Sequence, residues 1–225
     1  MSGPEFKTLE EMAQATAARL SQAASHAAFH LFQDKRFRAL AEFGTISQEE
    51  QDRIFNELVL AFLVMIMLVL EAPDLRLSDE VRDHLGGIKD RLPRAYLDQL
   101  KEMSVEERFI ADWDKLIALR YEEYARDRHD VRAAAMQIES TGKDMSEHDL
   151  ARIQLLVPVQ SAAIGSHHHV CRGKTEGRDE LFKTMLRALS HFYVELRTAL
   201  EIGKIGPLAR ARSAVRRFFR TVGKS

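Results

Sequence analysis

Residues 58–70 read LVLAFLVMIMLVL: thirteen positions with no charge, no hydrogen-bonding side chain, no glycine and no proline. A helix that is apolar on every side has no face to offer to water, so other elements must enclose it. The run starts after Asn56 and Glu57 and stops before Glu71, Ala72 and Pro73. A membrane-spanning helix needs about 20 predominantly apolar residues. The run falls short of that, and extending it backward brings in Glu57. The reading is therefore a buried protein core with no transmembrane span.

The remaining punctuation is helical. Thr8 with Glu11, Ser47 with Glu50 and Ser104 with Glu107 all fit the capping box, in which a hydroxyl accepts from an early amide and the glutamate reaches back. The first predicts a helix whose apolar positions (Leu9, Ala13, Ala17, Leu20, Ala24, Ala27, Leu31) recur every three or four residues and which runs to Glu42, ending at Gly44. The second opens the apolar helix, which Pro73 terminates. Two short helices are expected next, one ending at Gly86 and Gly87 and one starting with Pro93. The third box opens a long helix with Phe109, Trp113, Leu116, Ile117, Tyr121 and Tyr124 on one side. A helix from Ser146 should be kinked by Pro158 and ended by Gly165, leaving residues 166–177 as a loop. From Asp179 to Ile202 the spacing of Leu181, Met185, Leu189, Phe192, Leu196 and Leu200 predicts another strong helix, and residues 208–222 a last one. Strand signals are few, and Pro158 interrupts the β-branched stretch around it. The expected fold is all-α: a bundle of four or more long helices, with short connecting helices, around a central apolar helix. It is read as a bundle domain over residues 1–206 followed by a basic amphipathic C-terminal helix over residues 207–225.

That tail carries the clearest surface signal. Residues 207–225 hold six basic side chains and no acidic one, while the rest of the chain holds 27 basic against 34 acidic. On a helix, Leu208, Ala211, Val215, Phe218, Phe219 and Val222 fall on one side. Arg210, Arg216, Arg217 and Arg220 fall on the other, with Arg212 and Lys224 near the edges. Such a helix suits an acidic surface: the bundle itself, membrane headgroups or the phosphates of a nucleic acid. Arg210, Arg212, Arg216, Arg217, Phe218, Phe219 and Arg220 are its expected binding residues. The single cysteine, Cys171, forms no internal disulfide. Together with an N-terminal stretch that lacks a signal-peptide core, this points to the reducing cytoplasm.

Chemistry-bearing residues are present, but none of their patterns is complete. His167, His168, His169 and Cys171 are ligand types that suit zinc, copper or nickel, yet adjacent residues project in different directions and no second cluster completes a set. Gly173, Lys174 and Thr175 end like a phosphate-binding loop, whose first glycine would fall at His168. His26 and His30, four apart, share a helix face and suit one ion with a carboxylate from a neighbouring helix. Glu80 with His84 and His191 with Glu195 have the same spacing, and Glu122 and Glu123 lie on an aromatic-rich helix. No glutamate has a histidine three places on, as the di-iron bundle pattern requires. His129–Asp130 and His148–Asp149 are the doublets that metal-dependent phosphohydrolases use, though the accompanying histidine and aspartate must be sought elsewhere. Nucleophile-elbow, dinucleotide and H-E-x-x-H motifs do not occur.

The leading expectation is thus a helical module that acts by binding, as a homodimer, because residues 54–70 and 181–200 both present apolar faces that need cover. The alternative is a metal-dependent hydrolase or oxidoreductase inside the bundle, with His26, His30, His129 and Asp130 as ligands. The sequence assigns no cofactor. Phe62, Met65, Met67 and Trp113 suit an apolar pocket, but such side chains also fill ordinary cores.

Overall fold

A computed structural model describes residues 8–71, 79–139 and 146–201. The described residues form seven helices and no strand: α1 Leu9–Gln33, α2 Lys35–Leu40, α3 Gln48–Glu71, α4 Asp79–Glu102, α5 Glu107–Glu139, α6 Glu147–Val170 and α7 Asp179–Glu201. The fold is an all-α bundle centred on the apolar helix. In α3 every residue from 57 to 70 is buried, and α1, α4, α5 and α6 all pack on it. Each large side chain enclosed in this way contributes about 1.5–3 kcal/mol relative to leaving it in water. That gain overrides the modest helix propensity of Val59, Val64, Ile66 and Val69. α3 is long and apolar enough to cross a membrane, but 83% of its most apolar window is buried inside the protein. Phe62, Met65 and Met67 are core, while Trp113 stands edge-on to Tyr96 at 5.0 Å between ring centres.

The chain divides into two compact units, Met1–Leu189 and Ser190–Ser225. The first contains α1 to α6 and the start of α7, where Leu181, Met185 and Leu189 are buried. Within the second, α7 continues to Glu201, and Thr198 donates to the Val194 carbonyl at 2.8 Å. The expected boundary at residue 206 and the basic helix beyond it, including all seven of its binding residues, lie outside the described residues.

Several helix limits differ from the sequence expectation, each for a definable reason. The first helix stops at Gln33 because Asp34 turns extended (φ −61°, ψ 125°) and its carboxylate accepts from the Phe37 amide at 2.8 Å, capping α2. The two short helices expected around Gly86 and Pro93 are one continuous helix. Its buried positions Ile88, Leu92, Ala95, Tyr96 and Leu100 form a single stripe, and packing that stripe outweighs the local cost of glycine and proline. Ser104 does not open α5; it closes α4. With φ 61°, it donates its amide to the Lys101 carbonyl (2.9 Å), and the Val105 amide reaches the Leu100 carbonyl (3.1 Å), which is a Schellman motif. Glu42 and Arg172, at φ 59° and 50°, close α2 and α6 in the same manner. Non-glycine residues fill the left-handed position at all three ends, so a search for terminal glycines misses them. On α5 the buried line is Ile110, Ile117 and Tyr124, whereas Phe109 is 46% exposed.

The sixth helix departs furthest from that expectation. The helix does not end at Gly165. It runs through Pro158 and Gly165 to Val170, so the three histidines form its last turn instead of a loop. Gly165 serves packing: a Cβ built there would lie 2.1 Å from one carbon of the Tyr124 ring and 2.5 Å from another. The absence of a side chain lets α5 and α6 approach closely enough for that ring to lie against α6 backbone.

Candidate functional site

Where α3, α5 and α6 meet, the bundle encloses a chain of charges. Glu57, the last residue before the apolar run, is buried; its side chain is 8% exposed and that of Arg120 on α5 is 12% exposed. Arg120 grips Glu57 with two hydrogen bonds, Nη2 to Oε1 at 2.7 Å and Nε to Oε2 at 3.1 Å. Its third nitrogen, Nη1, donates to Glu123 at 3.3 Å, one turn further along α5. Burial is the largest single effect and opposes the Arg120 charge, but the Glu57 hydrogen bonds and charge, with Tyr124 and Glu123 nearby, together outweigh it and raise the guanidinium pKa above its ordinary value. Both Glu123 oxygens then meet His169 Nε2, at 2.7 and 2.9 Å. The His169 ring stacks on the buried Tyr124, with ring centres 6.4 Å apart.

A second arm ties the end of α6 to α3. Arg53 donates to the His169 carbonyl at 2.8 Å and to the Val170 carbonyl at 3.0 Å, placing a cation on the negative end of the helix. Arg53 also binds Glu50 through two nitrogens, at 2.7 and 3.1 Å. Arg172 closes on Glu50 from the turn beyond α6. The Ser47 hydroxyl caps α3 as expected, accepting from the Glu50 amide at 3.2 Å, while the Glu50 carboxylate is held by these arginines.

Among the described residues, Glu50 is the carboxyl pulled furthest from its ordinary range. The hydrogen bond from Arg53 is the largest effect; burial opposes it, and the hydrogen bond from Arg172 together with the charges of both arginines brings the carboxyl from 4.5 down to about 2. A carboxyl with a lowered folded pKa contributes stability that is complete above 4.5 and is lost as pH falls through the window down to about 2. Glu50→Gln is therefore expected to cost about 1–2 kcal/mol at neutral pH, after allowing for solvent screening at a partly exposed site, and almost nothing near pH 2. Urea unfolding of both proteins across that range checks it.

At the far end of α3, Tyr121 donates to Glu71 at 2.6 Å, Lys89 donates to Tyr121 at 3.4 Å, and Arg128 meets Glu71 at 3.2 Å. The charged residues bracketing the apolar run are thus both latched by α5. Burial, then the Glu71 hydrogen bond, raises the Tyr121 phenol, which leaves it a proton donor.

The metal ligands expected from sequence are not gathered. His26 and His30 are exposed on α1, which packs on α2, α3 and α4; His129 and Asp130 are exposed on α5, which packs on α3, α4 and α6. Among the described residues no group of three or more His, Cys, Asp or Glu side chains is placed to hold a metal ion. The side chains of Glu80, His148 and Asp149 lie outside what the structure describes. Burial raises the Cys171 thiol pKa, which disfavours a nucleophilic thiolate. Gly173, Lys174 and Thr175 lie in the turn after α6, and Gly173 (φ 77°) takes part in its Schellman closure.

The sequence reading missed Arg53, Arg120, Glu123 and His169 as a unit. The spacing Glu50–Arg53 and Arg120–Glu123, three apart on a helix, was the available signal. Chemically, the arrangement is a clamp. Its carboxylates are occupied by arginine or histidine, and its cations by carboxylates or helix-end carbonyls. Comparison with known proteins finds no matching family model, no similar curated protein and no similar solved structure.

Proposed function

We propose that this protein acts by binding, as a homodimeric helical module of the cytoplasm. Its copies meet at the end of the bundle that carries Phe29, Met103 and Phe109. The reading rests on the placement of these three side chains. The pairings of Glu10 with Arg91 and of Ser21 with Gln99 set α1 and α4 in the same direction. The second half of α1 and the α4–α5 turn therefore share one end. Phe29, Met103 and Phe109 are 47%, 67% and 46% exposed. Single exposed apolar residues are ordinary, but several large ones at one end mark an interaction surface. The apolar helix α3 no longer argues for a partner, because helices of its own chain cover it. The single, buried Cys171 supports a reducing compartment.

Sedimentation over a range of concentrations tests the proposal. The expected result is a dimer that Met103→Glu combined with Phe109→Glu converts to a folded monomer of unchanged helicity. A wild-type protein that stays monomeric at its highest soluble concentration overturns it.

The basic segment 207–225 supplies a second contact in this reading, toward an acidic surface on a protein, membrane headgroups or nucleic acid. Six basic side chains without an acidic one support it. Its deletion should abolish binding to whichever of these partners the full chain retains. Binding unchanged after the deletion removes the segment from the proposal.

A further inference from the structure

The last turn of α6 holds an imidazole that nothing in the clamp uses. His167 is 7% exposed, and its Nε2 is buried with no hydrogen-bond partner among the described residues. Its ring stands edge-on to Phe182 in the first turn of α7, 5.4 Å between centres. The groups facing it come from three directions. Arg178 and Asp179 approach from the start of α7 and His168 from its own helix, while the Cys171 amide, just beyond α6, donates to the His167 carbonyl at 3.0 Å. Glu42, from the α2–α3 connection, pairs with Arg178 at 2.9 Å, and Arg53 of α3 holds the carbonyls beside it. A proton on Nε2 would be a charge without water or an acceptor, with the Arg178 cation among its neighbours.

We propose that His167 makes the α6–α7 connection a proton-operated latch, closed while the imidazole is neutral and opened when it is protonated. To be solvated, Nε2 must leave its buried position, and the ring then parts from Phe182. The seam between the last turn of α6 and the first turn of α7 opens with it. Burial, the larger effect, outweighs a backbone hydrogen bond to Arg178 that favours the proton and lowers the imidazole pKa from 6.5. A base with a lowered folded pKa leaves stability intact above 6.5 and loses it as pH falls from there toward the folded value. The ion pairs that tether the two ends of the connection to α3 and α2 outlast this window: Glu50 is lowered to about 2 by Arg53 and Arg172, and Glu180 is lowered by Lys183 and Arg36. The latch therefore responds to mild acid, before those carboxylates titrate.

Hydrogen exchange of the amides in residues 171–185, corrected for the intrinsic pH dependence of exchange, tests this between about pH 7.5 and 5. In the wild-type protein the open population should rise by up to about tenfold per pH unit below 6.5, the limit for uptake of one proton. His167→Phe, which keeps the packing on Phe182, should abolish the rise, whereas His168→Gln should retain it. A wild-type protein whose exchange does not change with pH, or a rise that persists in His167→Phe, overturns the latch. Should His167→Phe fail to fold, NMR titration of the wild-type His167 ring decides. Protonation without loss of protection in residues 179–185 overturns the proposal, and the two changing together supports it.

Discussion

Gly165→Ala should destabilise the protein by about 2–3 kcal/mol, although alanine is the better helix former by about 1 kcal/mol. The sign of the change is the informative part. Gly165 lies inside α6, where helix propensity alone predicts a gain. The added Cβ would sit 2.1 Å from a carbon of the Tyr124 ring, a fully buried side chain with no room to retreat. Either the ring leaves its site, uncovering the clamp beside it, or α5 and α6 separate. Urea unfolding measures the loss. Tyr124→Ala is expected to cost about 3–5 kcal/mol by itself, but the double variant should cost clearly less than the two changes summed, because the clash vanishes with the ring. A Gly165→Ala protein as stable as the wild type would show that this contact is not rigid. The same close approach accounts for the buried Tyr124 hydroxyl, which has no partner among the described residues and whose pKa is raised by burial and then by Glu57.

Arg120→Met should cost about 3–5 kcal/mol at neutral pH, since it strands a carboxylate in the interior. Glu57 loses both of its Arg120 hydrogen bonds and Glu123 loses one. The methionine replaces the volume but not the charge. Converting Glu57 to methionine as well should restore most of the loss, because a buried ion pair replaced by apolar residues of similar size is often neutral or better. Equilibrium unfolding of the single and double variants provides the check. An Arg120→Met protein within about 1 kcal/mol of the wild type would mean that water reaches Glu57 and that the clamp contributes little. Losing the clamp should also loosen α6, whose end is joined to α5 through Glu123 and His169 and to α3 through Arg53.

Much of the architecture was legible because it follows from local rules. The uncharged run of residues 58–70 demanded enclosure, and the Thr8 and Ser47 hydroxyls cap α1 and α3 at the expected amides. The expected candidate site was not gathered in the same way. The sequence drew attention to histidines by ligand type, but His26 and His30 project to solvent on α1 and His129 does so on α5. The interior charges proved to be Glu57, Arg120 and Glu123, each of which reads in isolation as a surface residue. The i, i+3 spacings were visible, but such pairs are common on solvated helices, and spacing alone does not say which face is buried.

From its residues alone, this chain had to be helical and had to bury residues 58–70, since apolar periodicity, capping hydroxyls and the cost of exposing such a run act over a few turns. Where the helices end, which glycine is a stop and which a point of contact, and which charges go inside were settled by packing between distant segments. Asp34 breaks a helix that periodicity alone would continue, while α4 and α6 run through glycine and proline because a buried stripe outweighs local propensity. Glu57 is tolerated in the interior because Arg120, sixty-three positions away in sequence, is brought to it. No local pattern encodes that meeting; only the folded bundle does.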